Sequence, residues 1–289
     1  ELTPSGYQKV TANGIEIAYD TFGDPKDPAI LLVMGLGTQM IAWPEPLCES
    51  LAEAGHHVIR FDNRDVGLSS KLAGIEAPYS IEDMGDDAIG LLDGLGLQRA
   101  HVCGTSMGGM IAQTMAISYP DRVSSLICMA STTGDPEVAS AEPRAVDSPA
   151  LPLEALMAIP REREPYIEYT VRGMRELSGL GTAFDEERAR RVAAALYDRC
   201  FCPEGMARQL QALLASGNRM PGLAWLTLPR LVIHGDGDPL VPVEHGRDTA
   251  AAVPGADLLI IEGMGHELPR QAWPRVVSAI VAHTRKARV

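Results

Sequence analysis

Cysteine is scarce in this sequence, and its spacing matches neither a disulfide framework nor a zinc site. The five cysteines include no Cys-x-x-Cys pair; they are Cys48, Cys103, Cys128, Cys200 and Cys202. Cys103 and Cys128 lie in apolar, strand-like runs, where free cysteine is usually buried. Cys200 and Cys202 are too close in sequence for an easy mutual disulfide. This usage predicts a protein of a reducing compartment, the cytoplasm.

Long apolar runs and an excess of positive charge are also missing. No stretch of roughly eighteen apolar residues occurs, so we expect no membrane span. The chain begins at Glu1 without the basic and apolar pattern of a signal peptide. Its formal net charge of −13 argues against nucleic acid or an anionic membrane surface as a partner. A neutral or cationic small molecule is compatible with this charge.

The order of strand-like and helix-like runs predicts an α/β fold. Two β-rich runs joined by Asn13-Gly14 form an expected N-terminal hairpin. Helix-like segments, one of them beginning at an N-cap Ser80, separate the later strand-like runs, which lie at 29–34, 57–61, 99–103, 123–130, 230–234 and 256–261. Such alternation is typical of a mostly parallel, doubly wound sheet.

One long segment contains no strand-like run. Between residues 132 and 226, loop signals are followed by helical stretches. This predicts a helical cap at 132–226, inserted after the sixth strand into a core made of 1–131 and 227–289. The apolar and aromatic residues of the cap are expected to pack within it or to line an acyl pocket; they are Leu153, Leu156, Met157, Tyr166, Tyr169, Met174, Phe184, Leu196, Tyr197, Phe201 and Met206.

The most informative motif is Gly104-Thr105-Ser106-Met107-Gly108, between a strand-like run and a helix-like one. A G-x-S-x-G sequence at such a junction is typical of the nucleophile elbow. Its glycines avoid a clash where strand and helix pass closely. The turn presents the serine hydroxyl at a helix N-terminus, where backbone N–H groups favour a developing anion. Ser106 is therefore the candidate nucleophile.

A serine nucleophile needs a base, and the base needs a carboxylate that orients it. In the chain order that accompanies this elbow, the acid precedes the histidine. Asp238 follows the run at 230–234, and His266 lies in a glycine-rich loop after the run at 256–261. They are the candidate acid and base, with Asp236 as the competing acid. The other histidines are interpreted as structural or solvated: His56, His57, His101, His234, His245 and His283.

Two backbone N–H groups are predicted to form an oxyanion hole, those of Met107 and Leu36. Leu36 lies in Gly35-Leu36-Gly37, where glycine lets the backbone approach a substrate. This loop lacks the third glycine of a dinucleotide motif, and the aspartates at 236 and 238 lack the remaining ligands of a calcium loop. No cofactor and no metal is expected. Expected substrate contacts are Gly35, Gly37, Trp43, Tyr169 and Tyr197.

A polar, turn-forming stretch from Asp62 to Ser69 follows another strand-like run. It is either a second functional site or a hydrogen-bonded turn that braces the adjacent edge of the sheet. The second interpretation is favoured.

Four motifs carry a family resemblance. They are Leu32-Val33-Met34-Gly35-Leu36-Gly37, the stretch from Phe61 to Ser69, Gly104–Gly109, and Gly263-Met264-Gly265-His266. The chain resembles the α/β-hydrolase superfamily outside the cap, and more narrowly an actinobacterial esterase and lipase-like group that includes aclacinomycin methylesterase. The resemblance implies an α/β-hydrolase fold, a triad of Ser106, Asp238 and His266, and Leu36 and Met107 as oxyanion donors.

The chain also departs from parts of this superfamily. Met34-Gly35 stands where many members have His-Gly, and the H-G-G-G stretch of hormone-sensitive-lipase-like esterases is missing. A serine nucleophile, rather than aspartate, separates the chain from haloalkane dehalogenases and epoxide hydrolases.

The expected function is that of a serine carboxylesterase acting on short- to medium-chain esters through an acyl-enzyme. The same triad also serves lactone hydrolysis (acyl-homoserine lactones included), thioester hydrolysis and cofactor-free perhydrolysis. An alternative outside enzymes is a hydrolase fold that acts as a small-molecule receptor.

Overall fold

An eight-stranded sheet forms the centre of the molecule. The computed structural model describes residues 6–74, 78–138, 158–252 and 255–287. The sheet has the order β1-β2-β4-β3-β5-β6-β7-β8, and every pairing beyond β4 is parallel. Its strands are β1 (Gln8–Ala12), β2 (Ile15–Phe22), β3 (Ala29–Val33), β4 (His57–Phe61), β5 (Ala100–Thr105), β6 (Val123–Met129), β7 (Arg230–Gly235) and β8 (Asp257–Ile261). The predicted mostly parallel sheet is confirmed.

Helices cover both faces of this sheet. In chain order, the helices of the described residues are α1 (Glu45–Glu53), α2 (Ile81–Gly94), α3 (Met107–Ser118), α4 (Arg163–Leu177), α5 (Glu186–Arg199), α6 (Pro203–Leu214), α7 (Met220–Leu223), α8 (Val243–Ala251) and α9 (Trp273–Lys286). Of these, α4 to α7 lie between β6 and β7 in the chain. Because side chains alternate along a strand, Leu31 and Val33 pack with α2 and α3, whereas Ile30 and Leu32 pack with α1 and α9. The sheet is thus buried on both sides, which explains the continuous apolar run of β3.

Local signals placed several element boundaries correctly. Asn13 and Gly14 have φ values of 51° and 78°, as the predicted hairpin turn requires. Ser80 caps α2 by accepting the N–H of Asp83, whose carboxylate in turn accepts the N–H of Ser80. The strand predicted to reach residue 130 ends at Met129 instead, because Ala130 adopts a left-handed φ of 47°.

The described residues between β6 and β7 contain helices and no strand, as the composition of this segment predicts. Helices α4 and α5 pack against each other through Ile167, Val171, Ala189 and Ala193. We use the word cap for residues 158–226 of the described chain. The sequence candidates Leu153, Leu156 and Met157 lie outside the described residues.

All five cysteines are free thiols, and Cys48, Cys103 and Cys128 are buried. In the described ranges, no helix is both long and apolar enough to cross a membrane.

His283 gives the fold a predicted sensitivity to acid. It is buried in α9, and its ring nitrogens have no hydrogen-bond partner among the described residues. Burial lowers the pKa of His283 from 6.5 to about 4; Asp257 opposes this shift and Lys286 adds to it. The unfolded chain therefore binds a proton that the folded chain does not, at pH values between 4 and 6.5.

Stability is consequently lost as the pH falls through this window. We expect the imidazole to account for about 2 kcal/mol of the fall in unfolding free energy between pH 7 and pH 5. Denaturant unfolding of wild type and His283→Leu at both pH values measures this contribution. The fall should be smaller by that amount in the variant, and equal falls would contradict the prediction.

Candidate active site

Ser106 lies at the junction of β5 and α3 with φ 53° and ψ −122°. This conformation is strained for a residue with a side chain. It is held by two hydrogen bonds: the Ser106 N–H donates to Met129 O at 2.8 Å, and the Ser131 hydroxyl donates to Ser106 O at 2.7 Å. The surrounding backbone thus fixes the serine in the geometry of a nucleophile elbow.

The glycines of the motif are required by close backbone approach. A methyl group at Gly104 would lie 2.0 Å from Gly108 O, and one at Gly108 would lie 2.1 Å from Val33 O. Only glycine lets β3, β5 and α3 converge here, so this part of the motif has the physical cause that the sequence suggested.

Asp238 and His266 form a hydrogen-bonded pair. The His266 Nδ1 lies 2.8 Å from Asp238 Oδ2. The other carboxylate oxygen accepts the N–H groups of Leu240 and Val241, each at 2.9 Å. These bonds orient a buried carboxylate toward Nδ1. With the proton on Nδ1, the other ring nitrogen, Nε2, is free to accept one.

The competing acid, Asp236, faces a different loop. Its carboxylate accepts the Gly263 N–H at 2.6 Å. It therefore braces the turn after β8, whereas Asp238 contacts the histidine ring.

His234 is a member of this site that the sequence interpretation treated only as structural or solvated. It is fully buried on β7, with Nε2 2.7 Å from Val241 O and 3.6 Å from Asp238 Oδ2. Burial lowers its pKa, so the ring stays neutral and donates to the carbonyl. His234 thereby supports the turn that orients Asp238. In the sequence, His234 is marked by its position on an apolar strand, four residues before Asp238.

The cap holds the loop that carries His266. The His266 N–H donates to Leu177 O at 2.7 Å, and the Gly265 N–H donates to Ser178 O at 3.1 Å. A methyl group at Gly265 would lie 2.2 Å from Leu177 O. The C-terminal end of α4 therefore positions the histidine, and glycine is needed at 265 for the contact.

The loop after β3 packs against the elbow. A methyl group at Gly35 would lie 3.3 Å from Ser106 Cβ and 3.8 Å from Met107 N. Among the described residues, no acceptor takes the backbone N–H of Leu36 or of Met107. Both N–H groups thus remain available at neighbouring positions beside the serine.

Gln209 is a buried cap residue that the sequence did not single out. Its side-chain oxygen accepts the Gly37 N–H at 2.7 Å, and its amide donates to Arg64 O at 2.7 Å. It therefore joins α6 to both the loop that carries Leu36 and the turn at Asp62–Ser69. No local pattern marks it, because its partners are distant in sequence.

The turn at Asp62–Ser69 acts as a brace. The fully buried Asp62 accepts the Met40 N–H at 2.8 Å and pairs with Arg199 of α5 at 2.8 Å. Asp65, also fully buried, pairs with Arg208 of α6 at 2.8 Å. The favoured interpretation of this turn as a bracing element agrees with these contacts.

A cavity of about 1070 Å³ lies between the cap and the core. Ser106 and His266 line it together, without a hydrogen bond between them in the described structure. Several residues singled out from the sequence also line it. They are Gly35, Leu36, Gly37 and Trp43 of the core, and Tyr166, Tyr169, Met174, Phe184, Leu196, Phe201 and Met206 of the cap.

Tyr197 departs from its predicted role, because it does not line the cavity. Its hydroxyl donates to Arg161 O at 2.7 Å, and its ring packs against those of Tyr166 and Phe201. It supports two lining residues from behind. As for metals, the described residues contain no group of three or more His, Cys, Asp or Glu that could hold one.

Comparison with known proteins identifies the family. A sequence model of the alpha/beta hydrolase fold matches residues 28–164. The chain is also 34% identical over 297 residues to the rhodomycin D methylesterase of Streptomyces peucetius, covering 97% of this chain and 98% of that protein. The chain belongs to the α/β-hydrolase family. The resemblance and fold predicted from the four motifs are confirmed.

Other members extend the comparison. This α/β-hydrolase is 29% identical to 3-oxoadipate enol-lactonase 2 of Acinetobacter baylyi, over 94% of this chain and 95% of that protein. The solved structure of a thermophilic esterase from Thermogutta terrifontis is 26% identical, with a TM-score of 0.77 over 99% of this chain and all of that one.

Proposed function

We propose that this α/β-hydrolase is a serine carboxylesterase that cleaves short- to medium-chain esters through an acyl-enzyme. The observation that carries the proposal is the 2.8 Å hydrogen bond between Asp238 and His266, whose ring lines the same cavity as Ser106. The relatives support this class, because they include a methylesterase and an esterase. The chain is a carboxylic ester hydrolase.

In the acylation step, Ser106 Oγ attacks the ester carbonyl and His266 Nε2 takes the hydroxyl proton. The hydrogen bond that Ser106 Oγ donates to His266 Nε2 forms once substrate fills the cavity, since such contacts often tighten only in the complex. Asp238 holds the imidazole and stabilises its cation. The N–H groups of Leu36 and Met107 donate to the oxyanion. His266 then gives its proton to the departing alcohol.

In the deacylation step, a water molecule replaces the alcohol. His266 takes a proton from this water, which attacks the acyl carbonyl and forms a second oxyanion in the same hole. Collapse of the intermediate breaks the acyl bond to Ser106, returns the proton to Oγ and releases the carboxylic acid.

The acyl-length preference tests the substrate class. The cavity lies between the cap and the core and is lined largely by apolar side chains, so we expect kcat/KM for p-nitrophenyl esters to peak at short to medium acyl chains. Hydrolysis of a series from acetate to palmitate measures this preference. A maximum at palmitate, or at long emulsified triglycerides, would contradict it.

Lactone hydrolysis is the second candidate, and the similarity to an enol-lactonase favours it. The same residues would open a cyclic ester, with the alcohol left attached to the acyl group. Adding γ-lactones to the ester series separates the two. Strong lactone turnover beside weak ester turnover would assign the chain as a lactonase.

The compartment and the domain division belong to the same proposal. Free thiols at all five cysteines support the cytoplasm. The division into a core and a cap at 132–226 is supported by the described residues between β6 and β7, which form helices and no strand.

A further inference from the structure

Arg188 differs from the other arginines of α5 in having no ionic partner among the described residues. Arg190 pairs with Glu168, Arg191 with Glu187, and Arg199 with Asp62. In the part of the chain that the structure describes, the guanidinium of Arg188 makes no ion pair and no hydrogen bond, and the hydrogen bond to Asp185 is donated by its backbone N–H. A guanidinium without an ion pair in the described chain, on a helix whose other arginines are paired, requires a separate explanation.

The position of Arg188 supplies that explanation. Whereas Arg190 and Arg191 are on the exposed side of α5, Arg188 is half-buried and lines the cavity that contains Ser106 and His266. Its neighbours in the cavity wall include the apolar residues Ala189 and Val192. A guanidinium placed among such groups is costly unless a ligand compensates it.

Trp273 contacts this guanidinium through the face of its ring. The Arg188 Cζ lies 5.1 Å from the centre of the Trp273 ring. This cation–π contact uses none of the N–H donors of the guanidinium, which form a fork that matches a carboxylate. Trp273 begins α9, shortly after His266, so the cation is held on the side of the cavity that carries the histidine loop.

The surrounding charges limit the kind of anion. Burial lowers the pKa of Arg188, and the nearby carboxylates of Asp185 and Glu267 only partly oppose this, while Arg270 and Arg191 add to it. With Arg191 and Arg270 beside it, Arg188 makes three cations near two carboxylates. The formal local charge of +1 suits a singly charged anion better than a doubly charged phosphate. The site therefore matches a carboxylate.

We propose that Arg188 binds a free carboxylate of the substrate, so that the preferred substrates are esters or lactones that also carry a carboxylic acid group. The inference rests on the proposed function, since it assumes that this cavity receives the ester. An anionic substrate departs from the neutral or cationic one suggested by the net charge of −13, because a local cation decides recognition where the net charge of the surface does not.

Paired methyl esters test this specificity. Monomethyl adipate and methyl hexanoate share a six-carbon acyl chain and differ in one terminal carboxylate. We expect wild type to favour monomethyl adipate in kcat/KM. Arg188→Gln should lower this preference about 10- to 100-fold, the range for one charged hydrogen-bonding contact, and Arg188→Lys should restore part of it. Arg190→Gln, on the same helix, is the matched control and should keep the preference.

A binding measurement keeps the test independent of turnover. Calorimetry of monomethyl adipate with Ser106→Ala, and with the same variant carrying Arg188→Gln, should show a Kd at least about 10-fold weaker in the second protein. Equal Kd values, or an equal loss of preference in Arg190→Gln, would overturn the role of Arg188. Turnover of methyl hexanoate with no preference for the acid would overturn it while leaving the esterase proposal intact. If neither ester is cleaved, the esterase proposal fails for methyl esters, and the Kd comparison still decides the inference.

Discussion

Replacing Ser106 with alanine should lower kcat for ester hydrolysis by about 10⁴-fold or more. The physical reason is that the variant keeps the cavity and the candidate oxyanion donors but loses the oxygen that forms the acyl-enzyme. Alanine has the same Cβ as serine, so the backbone at φ 53° is no more strained than before. Steady-state hydrolysis of a p-nitrophenyl ester measures the loss, with the melting temperature as the check on folding.

A covalent probe identifies the nucleophile directly. A fluorophosphonate should label wild type on the peptide that contains Ser106 and should leave Ser106→Ala unlabelled. Ser50→Ala is a matched control, because Ser50 lies on α1 and its hydroxyl donates only to Pro46 O in the described chain. Labelling at another residue, or more than a few per cent of activity left in Ser106→Ala, would reject the assignment.

Replacing Asp238 with asparagine should cost about 10³- to 10⁴-fold in kcat. The amide is close in shape to the carboxylate, but it is neutral and no longer stabilises a protonated His266. An amide NH₂ turned toward Nδ1 would also favour the wrong tautomer, with the proton on Nε2. Because the change leaves the cavity in place, KM should move far less than kcat.

Asp236→Asn is the matched control for this variant. Asp236 lies two residues away, and among the described residues its carboxylate accepts only the Gly263 N–H, at 2.6 Å. Its replacement should change kcat by much less than the replacement of Asp238. A larger loss of kcat in Asp236→Asn than in Asp238→Asn would make Asp236 the catalytic acid instead of Asp238. A full loss from both, without unfolding, would mean that the turn after β7 matters as a unit.

Residues that depend on local backbone geometry were predictable. The elbow around Ser106 requires glycine at 104 and 108, because a side chain at either position would clash with a backbone oxygen about 2 Å away. The carboxyl ends of parallel strands meet at one edge of the sheet. Aspartate after one strand and histidine after the next could therefore be expected to meet, and their side chains lie 2.8 Å apart.

Residues that act through distant contacts were not predictable. Gln209 is separated by 172 positions from Gly37, whose N–H it accepts. His234 looks like any buried strand residue until the turn after β7 brings Val241 O and Asp238 next to it. Neither pattern nor composition records these contacts.

The cap shows the same limit. Tyr166 and Tyr197 are both aromatic residues on cap helices, yet only the first lines the cavity. Which face of a helix meets the substrate is set by how α4, α5 and α6 pack on the core. Arg188 and Arg190 differ in the same way, since one faces the cavity and the other pairs with Glu168 on the outside.

The sequence by itself determined the family, the alternation of strands and helices, and the three residues proposed for catalysis. Each of these depends on local backbone sterics or on the order of motifs along the chain. Only the tertiary structure decided which side chains line the cavity and which of them lack an ion pair among the described residues, because those properties arise from packing between a cap and a core far apart in sequence.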